Sequence, residues 1–596
     1  SHTLVGALSK VYRSHTFKAG TEIRGNYVNH SQAPWSLNFT FNRAMTAGPD
    51  PRVVNAVGGF GYASFLLGTG AGGSVVNGIR PALGSKSYGF YLQDDWKVSR
   101  KLTINMGIRW DFESAVTERH DRFGVFDPNV VSPLARQTGL DLKGGWLFSD
   151  KGLGRNSLKP IEWAKIAPRL GIAYQITPQT VFRAGAGIFY TAAPYGANNY
   201  GTAPFRASTP WVTTVDGVTP TDLLRNPFPN GVLQVEGSTN GLLAALGQGV
   251  GSPVPNTMTT PYNSQWNASI GHDFGRGTVL EVAYAGNKGT NLPIAFQMDQ
   301  LATNQIRPDA GLLDTVPNPF FGQFTTGILS RATTTVGQLL RPYPQFDGVT
   351  IRQSNIGNST FHSLQARAER RFSQGVTFLA RYSFSKLIDD VGNPQNNYNI
   401  QAERALSGID RTHRMVLSGV FELPFGPGKR YTGGSNPVVR KLLENWQIDV
   451  METVQSGVPL SFSTVANTSG SLGGGQRPNS TGVSAALSGS ETERVGRWFD
   501  TSQFTLPAAY TFGNLGRTID VRGPILDNLD VTLMKTTTIR ESVRLQIRAE
   551  AYNAVNRPAF ANPNTALGNA SFGRISSITQ RANPARQIML GAKLVW

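Results

Sequence analysis

Arg586-Gln587-Ile588-Met589-Leu590-Gly591-Ala592-Lys593-Leu594-Val595-Trp596 closes the chain. Its even positions, Ile588, Leu590, Ala592, Leu594 and Trp596, are all apolar, while its odd positions, Gln587, Met589, Gly591, Lys593 and Val595, are mixed. That is the two-residue period of a strand with one apolar face, and about ten residues suffice to cross a bilayer as a tilted strand. A soluble sandwich has little reason to end on a bare tryptophan. The stretch implies a transmembrane β-barrel, and the rest of the chain tests that expectation.

The same alternation recurs in pairs. Tyr88–Val98 and Leu102–Phe112 flank a turn at Ser99–Lys101, with Asp94 interrupting the apolar face of the first arm near its rim. Further hairpins are expected at Arg169–Ile176 with Val181–Tyr190, Gln265–Phe274 with Val279–Ala285, Phe361–Phe372 with Val376–Leu387, and Asn528–Thr538 with Val543–Asn553. His413–Leu423 and Trp446–Gly457 stand between, joined by the glycine- and proline-rich Pro424–Leu443. Thr3–Tyr12 and Phe17–Tyr27 form a first hairpin. Trp35–Phe41 and Ser74–Arg80 read as two more strands, and Val57–Gly68 as holding a short helix.

Composition agrees. Only 16% of the 596 residues are charged, whereas 66 are glycine and 10% aromatic, which suits tight turns and aromatic girdles at two membrane interfaces. No window approaches the roughly 18 consecutive apolar residues of a helical span. A mean hydropathy of -0.22 is compatible with a barrel, which places apolar residues at alternate positions. The chain has no cysteine, in keeping with a compartment where thiols oxidise. The whole of 1–596 reads as one barrel domain, with no initiator methionine or signal sequence at Ser1.

Connections alternate in length. Short turns at Ser99–Lys101, Thr177–Thr180, Gly275–Gly277, Ser373–Gly375 and Ile539–Ser542 are interleaved with long segments, Glu113–Ala167, Thr191–Met258, Gly286–Thr360, Val458–Ile525 and Ala554–Ala585. Outer-membrane barrels have short periplasmic turns and long extracellular loops. With the short turns periplasmic, the last strand runs downward and Trp596 lies at the periplasmic rim. The first strand, at Thr3, then runs downward too. This gives about 17 strands, an odd number, whereas single-chain bacterial barrels have even counts. The chain is therefore expected to be the C-terminal part of an all-β antiparallel barrel of roughly 22–26 strands, its plug and first strands lying outside it.

The two faces of the strands differ in chemistry. Val543, Leu545, Ile547, Ala549 and Ala551 oppose Arg544, Gln546, Arg548 and Glu550; Leu364, Ala366 and Ala368 oppose Gln365, Arg367, Glu369 and Arg371; and Arg109 and Asp111 stand opposite Ile108, Trp110 and Phe112. Lysine or arginine facing lipid costs about 2–4 kcal/mol at the bilayer midplane, so the charged face is assigned to the lumen. Arg109, Asp111, Arg367, Glu369, Arg371, Arg544, Arg548 and Glu550 are the lumen-facing candidates. Mixed charge there implies a wet lumen or one filled by a polar plug. Salt bridges that stiffen the wall account for these residues more readily than ligand contacts do.

A net charge of +18 raises nucleic acid, but the basic residues are scattered singly, the densest spots being Arg370-Arg371, Lys429-Arg430 and Arg440-Lys441. They suit lumen and rims, facing outer-membrane lipid and lipopolysaccharide or an acidic partner, and no nucleic acid is expected. The seven histidines are dispersed without metal-ligand spacing, and His413 reads as orienting a rim. Gly68–Gly73 and Gly473–Gly475 lack the strand, lysine and hydroxyl context of a phosphate loop and read as flexible connections. No catalysis, cofactor or metal is expected.

Several strings in order along the chain resemble the barrel of TonB-dependent receptors, outer-membrane transporters. They are Tyr91-Leu92-Gln93-Asp94-Asp95-Trp96-Lys97-Val98 followed by Leu102–Trp110, Ala63–Gly68, Arg411–Arg414 running into Leu423–Gly426, Asn445-Trp446-Gln447, Gln476–Asn479, Tyr552–Pro558 and Phe572–Ile575. The branch most similar is the Oar-like one, whose members often carry a carboxypeptidase-regulatory-like domain. The last strand also resembles the terminal signal read by the outer-membrane assembly machinery, with Gly591, Leu594 and Trp596 in its glycine, hydrophobic and aromatic positions. Met589 replaces the usual polar residue, and tryptophan the commoner phenylalanine. The resemblance implies passage of a bulky ligand (glycan, peptide or chelate), energised by a TonB-type partner through an N-terminal segment that is not read in these residues. The other expectation is a structural barrel, a subunit or anchor among other envelope proteins.

Overall fold

The computed structural model describes residues 1–29, 35–49, 58–157, 159–191, 203–214, 219–229, 231–252, 258–323, 328–373, 375–426, 428–431, 436–465, 467–540, 542–579 and 585–596. One sheet of 18 strands dominates. A parallel addition at its rim, Gly249–Ser252 on Gly348–Ile351, leaves the antiparallel majority near the expected 17. Two of those, Thr117–Glu118 and Ala405–Leu406, are stubs of two residues.

The rest form a meander in which each strand pairs with its neighbours in the chain. In order they are β1 (His2–Tyr12), β2 (His15–Asn29), β3 (Ala82–Lys97), β4 (Leu102–Glu113), β5 (Ile166–Gln175), β6 (Thr180–Tyr190), β7 (Tyr262–Asp273) and β8 (Thr278–Gln297). There follow β9 (Gly348–Ser373), β10 (Val376–Asp389), β11 (His413–Glu422), β12 (Trp446–Gln455), β13 (Leu526–Arg540), β14 (Val543–Tyr552) and β15 (Gln587–Val595). All neighbouring pairs are antiparallel. Among the described residues, β1 pairs only with β2, and β15 only with β14.

Two expected wall strands lie elsewhere. Trp35–Thr40 and Gly72–Gly78 join Arg206–Pro210 in a separate three-stranded sheet, so the excursions after β2 and β6 are knitted together. Their alternation was real, but a half-buried sheet of any kind produces it. Removing two strands leaves the parity and the strand directions unchanged. The helix expected before Gly68 is Gly61–Leu67, ended by Gly68 in the left-handed conformation at φ 71°.

Register carries one chemistry around the wall. Ile270, Val282, Ala366, Tyr382 and Met415 form a single cross-strand row. One residue along, Glu281, Arg367 and Arg381 form the row behind it. The apolar row faces outward uncovered: Leu92, Ile108, Leu364 and Ile547 are 56%, 48%, 52% and 52% exposed. Among the described residues, buried apolar side chains on the wall strands occur only at the end of the long connections, at Leu83, Ala167, Ile294, Val349 and Ile351. A wall with its apolar side bare and every strand between β1 and β15 paired on both edges is what a bilayer demands.

Short and long connections segregate by end. The β3–β4, β5–β6, β7–β8 and β13–β14 turns share one end with Trp596, since Val595 pairs with Arg544 beside the last of these turns. The β11–β12 connection at that end contains the helix Pro437–Leu443, capped by the Asn436 side chain accepting from Val438 N–H at 2.9 Å. The opposite end carries the long excursions. One expected boundary moves: Gly286–Thr360 is not all loop, because β8 and β9 continue to Gln297 and start at Gly348. Register shifts around Leu292, Pro293 and Ile294 interrupt the alternation there, which hid the extension.

The excursions fold on themselves. Phe126, Trp146, Phe148, Phe205 and Phe346 pack with Val349 and Ile351 of β9 in one core. Leu460, Phe462, Trp498, Phe499 and Phe504 form a second, shared by the excursions after β12 and β14. The long-connection end is a packed cap in which the apolar residues are buried, the reverse of the wall.

Candidate lumen and outer-cap site

The lumen candidates fall into three groups. Arg109 Nε donates to Asp111 Oδ1 at 2.8 Å, and its Nη2 reaches Glu22 Oε2 at 3.3 Å on β2, across the intervening β3. The residue between them in register is Gly89, which pairs with both Glu22 and Asp111. A Cβ at Gly89 would stand 2.3 Å from Arg109 Nη2, so the missing side chain is what lets the guanidinium cross a strand. Arg24 adds a contact to Glu22.

In the second group Arg367 bonds Glu369 and lies 3.8 Å from Glu281, with Arg371 4.0 Å from Glu369. In the third, Arg548 Nε is 3.2 Å from Glu550, which also accepts from Tyr552 Oη at 2.9 Å. Arg544 joins none of the three. Gly591 pairs with Arg548, and a Cβ there would meet Arg548 Nε at 3.1 Å, so the arginine lies over it. Leu594 and Trp596 are exposed. The apolar face also carries charge, at Lys535 and at Asp94, the latter met by His15 Nδ1 at 2.7 Å.

Sequence reading missed the ion pairs that lock the cap. Three arginines of the excursion after β12 reach back to the segment after β10. Arg477 grips the buried Glu403 through both guanidinium nitrogens, Arg517 reaches Asp389 and the Val391 carbonyl, and Arg522 Nη2 donates to buried Asp410 at 2.8 Å. In the string Gln476–Asn479 the charged partner of Arg477 lies 74 residues away, while in Arg411–Arg414 the Arg411 guanidinium donates to the Ser456 carbonyl at 2.8 Å. His413 stays on the wall, its ring nitrogen 2.8 Å from Tyr382 Oη. The glycine-rich runs serve close packing rather than flexibility: a Cβ at Gly70 would strike Trp211 at 2.2 Å, and one at Gly473 would strike Gln297 at 2.8 Å.

One buried acid lacks a full partner set. Asp299 Oδ1 accepts from Tyr343 N–H at 2.8 Å, while Oδ2 accepts no hydrogen bond and lies 3.7 Å from Arg341. Burial outweighs the arginine and pushes the carboxyl up to about 7; burial beside Asp299 likewise pushes the Tyr343 hydroxyl up to about 12. Among the described residues no cluster of acidic or histidine side chains could hold a metal.

A continuous outward apolar face, a charged inner face and a folded cap at one end describe a membrane wall, and residues 1–589 match the model of the outer membrane beta barrel domain. The chain belongs to that family. As a member it is an outer-membrane protein, crossing with strands; among the described residues no helix is long and apolar enough to cross. No curated protein matches it. Similar solved structures include the outer membrane transporter YddB from Escherichia coli, 9% identical over 100% of this chain and 53% of that one, with a TM-score of 0.47. The FrpB iron transporter from Neisseria meningitidis is 10% identical over 99% and 55%, at 0.41. The ferric yersiniabactin uptake receptor FyuA from Yersinia pestis is 8% identical over 98% and 56%, at 0.39. The chain spans about half the length of these structures.

Proposed function

We infer that this outer-membrane barrel chain is the C-terminal part of a TonB-dependent transporter of the Oar-like kind, passing a bulky ligand through its lumen. The observation that carries this reading is the inner face: ion-paired arginines and carboxylates line a wall whose two terminal strands each have, among the described residues, one free edge. In lipid such edges must be paired, so further strands complete the barrel. A lumen ringed by mixed charge suits a polar plug or a hydrated ligand. The short-turn end, with Trp596, is periplasmic in this reading, and Gly591, Leu594 and Trp596 serve assembly. Ligand selection falls to the cap, since binding chemistry concentrates on loops held by a rigid scaffold.

A second reading, a structural subunit or anchor, is favoured by one observation. The cap is locked by Arg477–Glu403 and Arg522–Asp410, which makes it a fixed platform for other envelope proteins. Uptake separates the two. Cells with and without the complete gene, and with and without TonB, are fed labelled glycan, peptide and ferric-chelate pools. Gene- and TonB-dependent accumulation of one pool supports transport. Equal accumulation in all strains would sink it and leave the structural role.

A further inference from the structure

The helix Pro437–Leu443 is held at the short-turn rim on the outward side of the wall. Lys535 shares its face with Leu533, and its Nζ donates to the carbonyls of Lys441 and Glu444 at 2.8 Å each. Those carbonyls close the C-terminal end of the helix, where a cation is favourable. Lys535 also lies over the Trp446 ring at 5.6 Å, and Trp446 Nε1 donates to Leu442 O at 2.7 Å. Lys441 Nζ reaches Thr538 O at 3.2 Å, next to Ile539.

So docked, the helix leaves its apolar side chains bare. Val438, Leu442 and Ile539 are 66%, 61% and 60% exposed. Arg440 and Lys441 are exposed among them, with Arg540 close along β13; of the acids nearby, Glu444 is paired with Lys441 and Glu422 with Lys429. The patch continues the lipid-facing belt downward through Leu533 and Trp446. Apolar side chains, a tryptophan and the exposed cation Arg440 at the edge of a membrane wall match the acyl–headgroup boundary of a bilayer.

We propose that Pro437–Leu443 is an interfacial helix that seats on the leaflet at the short-turn end, with Val438, Leu442 and Ile539 among acyl chains and Arg440 on the phosphates of anionic phospholipids. This rests on the barrel reading but not on transport or on which side of the membrane that end faces.

The chain has no cysteine, so a single one can be placed and labelled cleanly. Leu442→Cys carrying an environment-sensitive fluorophore is refolded, as the full chain with its completing segments, into phosphatidylethanolamine vesicles with and without phosphatidylglycerol. The expected result is blue-shifted emission, strong quenching by phospholipids with a nitroxide near the headgroup, and poor access to iodide. Val438→Cys serves if Leu442→Cys does not fold. Replacing Arg440 by glutamine should lower the preference for phosphatidylglycerol about fivefold, from about 1 kcal/mol. Water-like emission with free iodide access would overturn the proposal. So would a blue-shifted label that nitroxide lipids do not quench, which means a protein surface covers the helix. A null uptake assay would overturn transport while leaving these optical results unchanged.

Discussion

The Arg477 guanidinium meets the Glu403 carboxylate in two parallel hydrogen bonds, Nη1 to Oε2 at 2.8 Å and Nη2 to Oε1 at 2.7 Å, with both side chains buried in the cap. Arg477→Ala leaves Glu403 as a buried unpaired charge, which costs about 3–5 kcal/mol. Hydrogen exchange should rise in the excursions after β10 and β12 while the wall strands keep their protection. Unchanged exchange in the cap would show that the pair is not what joins those excursions.

Gly89 holds the gap through which Arg109 reaches Glu22. Gly89→Val should destabilise the wall by about 1–3 kcal/mol, through overpacking and loss of the cross-strand pair. In an Arg109→Met background the same substitution should cost less, because the guanidinium it strikes is gone and only Asp111 Oδ1, at 2.7 Å, stays in its way. Urea unfolding in lipid vesicles gives all four stabilities; additive effects would refute the coupling.

Gln546 and Ile547 are adjacent on β14 and face opposite sides. Ile547→Arg should cost about 2–4 kcal/mol near mid-bilayer, whereas Gln546→Arg should be almost neutral. Equal costs would mean that the two faces have been assigned wrongly.

Asp299 makes the cap sensitive to pH. Its value is raised by burial from 3.8 to about 7, so the folded cap prefers the protonated acid. Its favourable contribution is complete below about pH 4 and lost as pH rises toward 7, at about 1.4 kcal/mol per unit of difference. Proteolysis of the cap should therefore quicken from pH 5 to pH 8, and Asp299→Asn should flatten that profile. A variant as pH-dependent as the parent would assign the effect to another group.

What could be read from the residues follows from the range of the forces involved. In Val543–Tyr552 or Leu102–Glu113, the choice between lipid and lumen is made at every second residue, so ten residues state it in full. Short turns such as Ser99–Lys101 then fix which strands are neighbours. Trp35–Thr40 shows the limit, because alternation reports one buried face but not the partner against which it is buried. Pro293 and the shifts beside it broke the pattern although the strand continued. The cap's locks were not legible at all, since Glu403 and Arg477 are 74 residues apart and Asp389 and Arg517 are 128 apart. Nor could Gly89's role be seen without knowing which residues stood on either side of it.

The reversal of burial between wall and cap gives one polypeptide two thermal characters. Phe126, Trp146 and Trp498 are held by the expulsion of water, so melting the cap should carry the large positive heat-capacity change of a soluble globule and yield to urea. The wall gains little from expelling water, since Leu364 and Ile547 face lipid whether or not the cap is intact. Its cohesion comes from backbone bonds that have no competitor in hydrocarbon. Warming a membrane-embedded sample should therefore separate the two parts in calorimetry, with the outer surface melting over a barrel that is still closed to the bilayer.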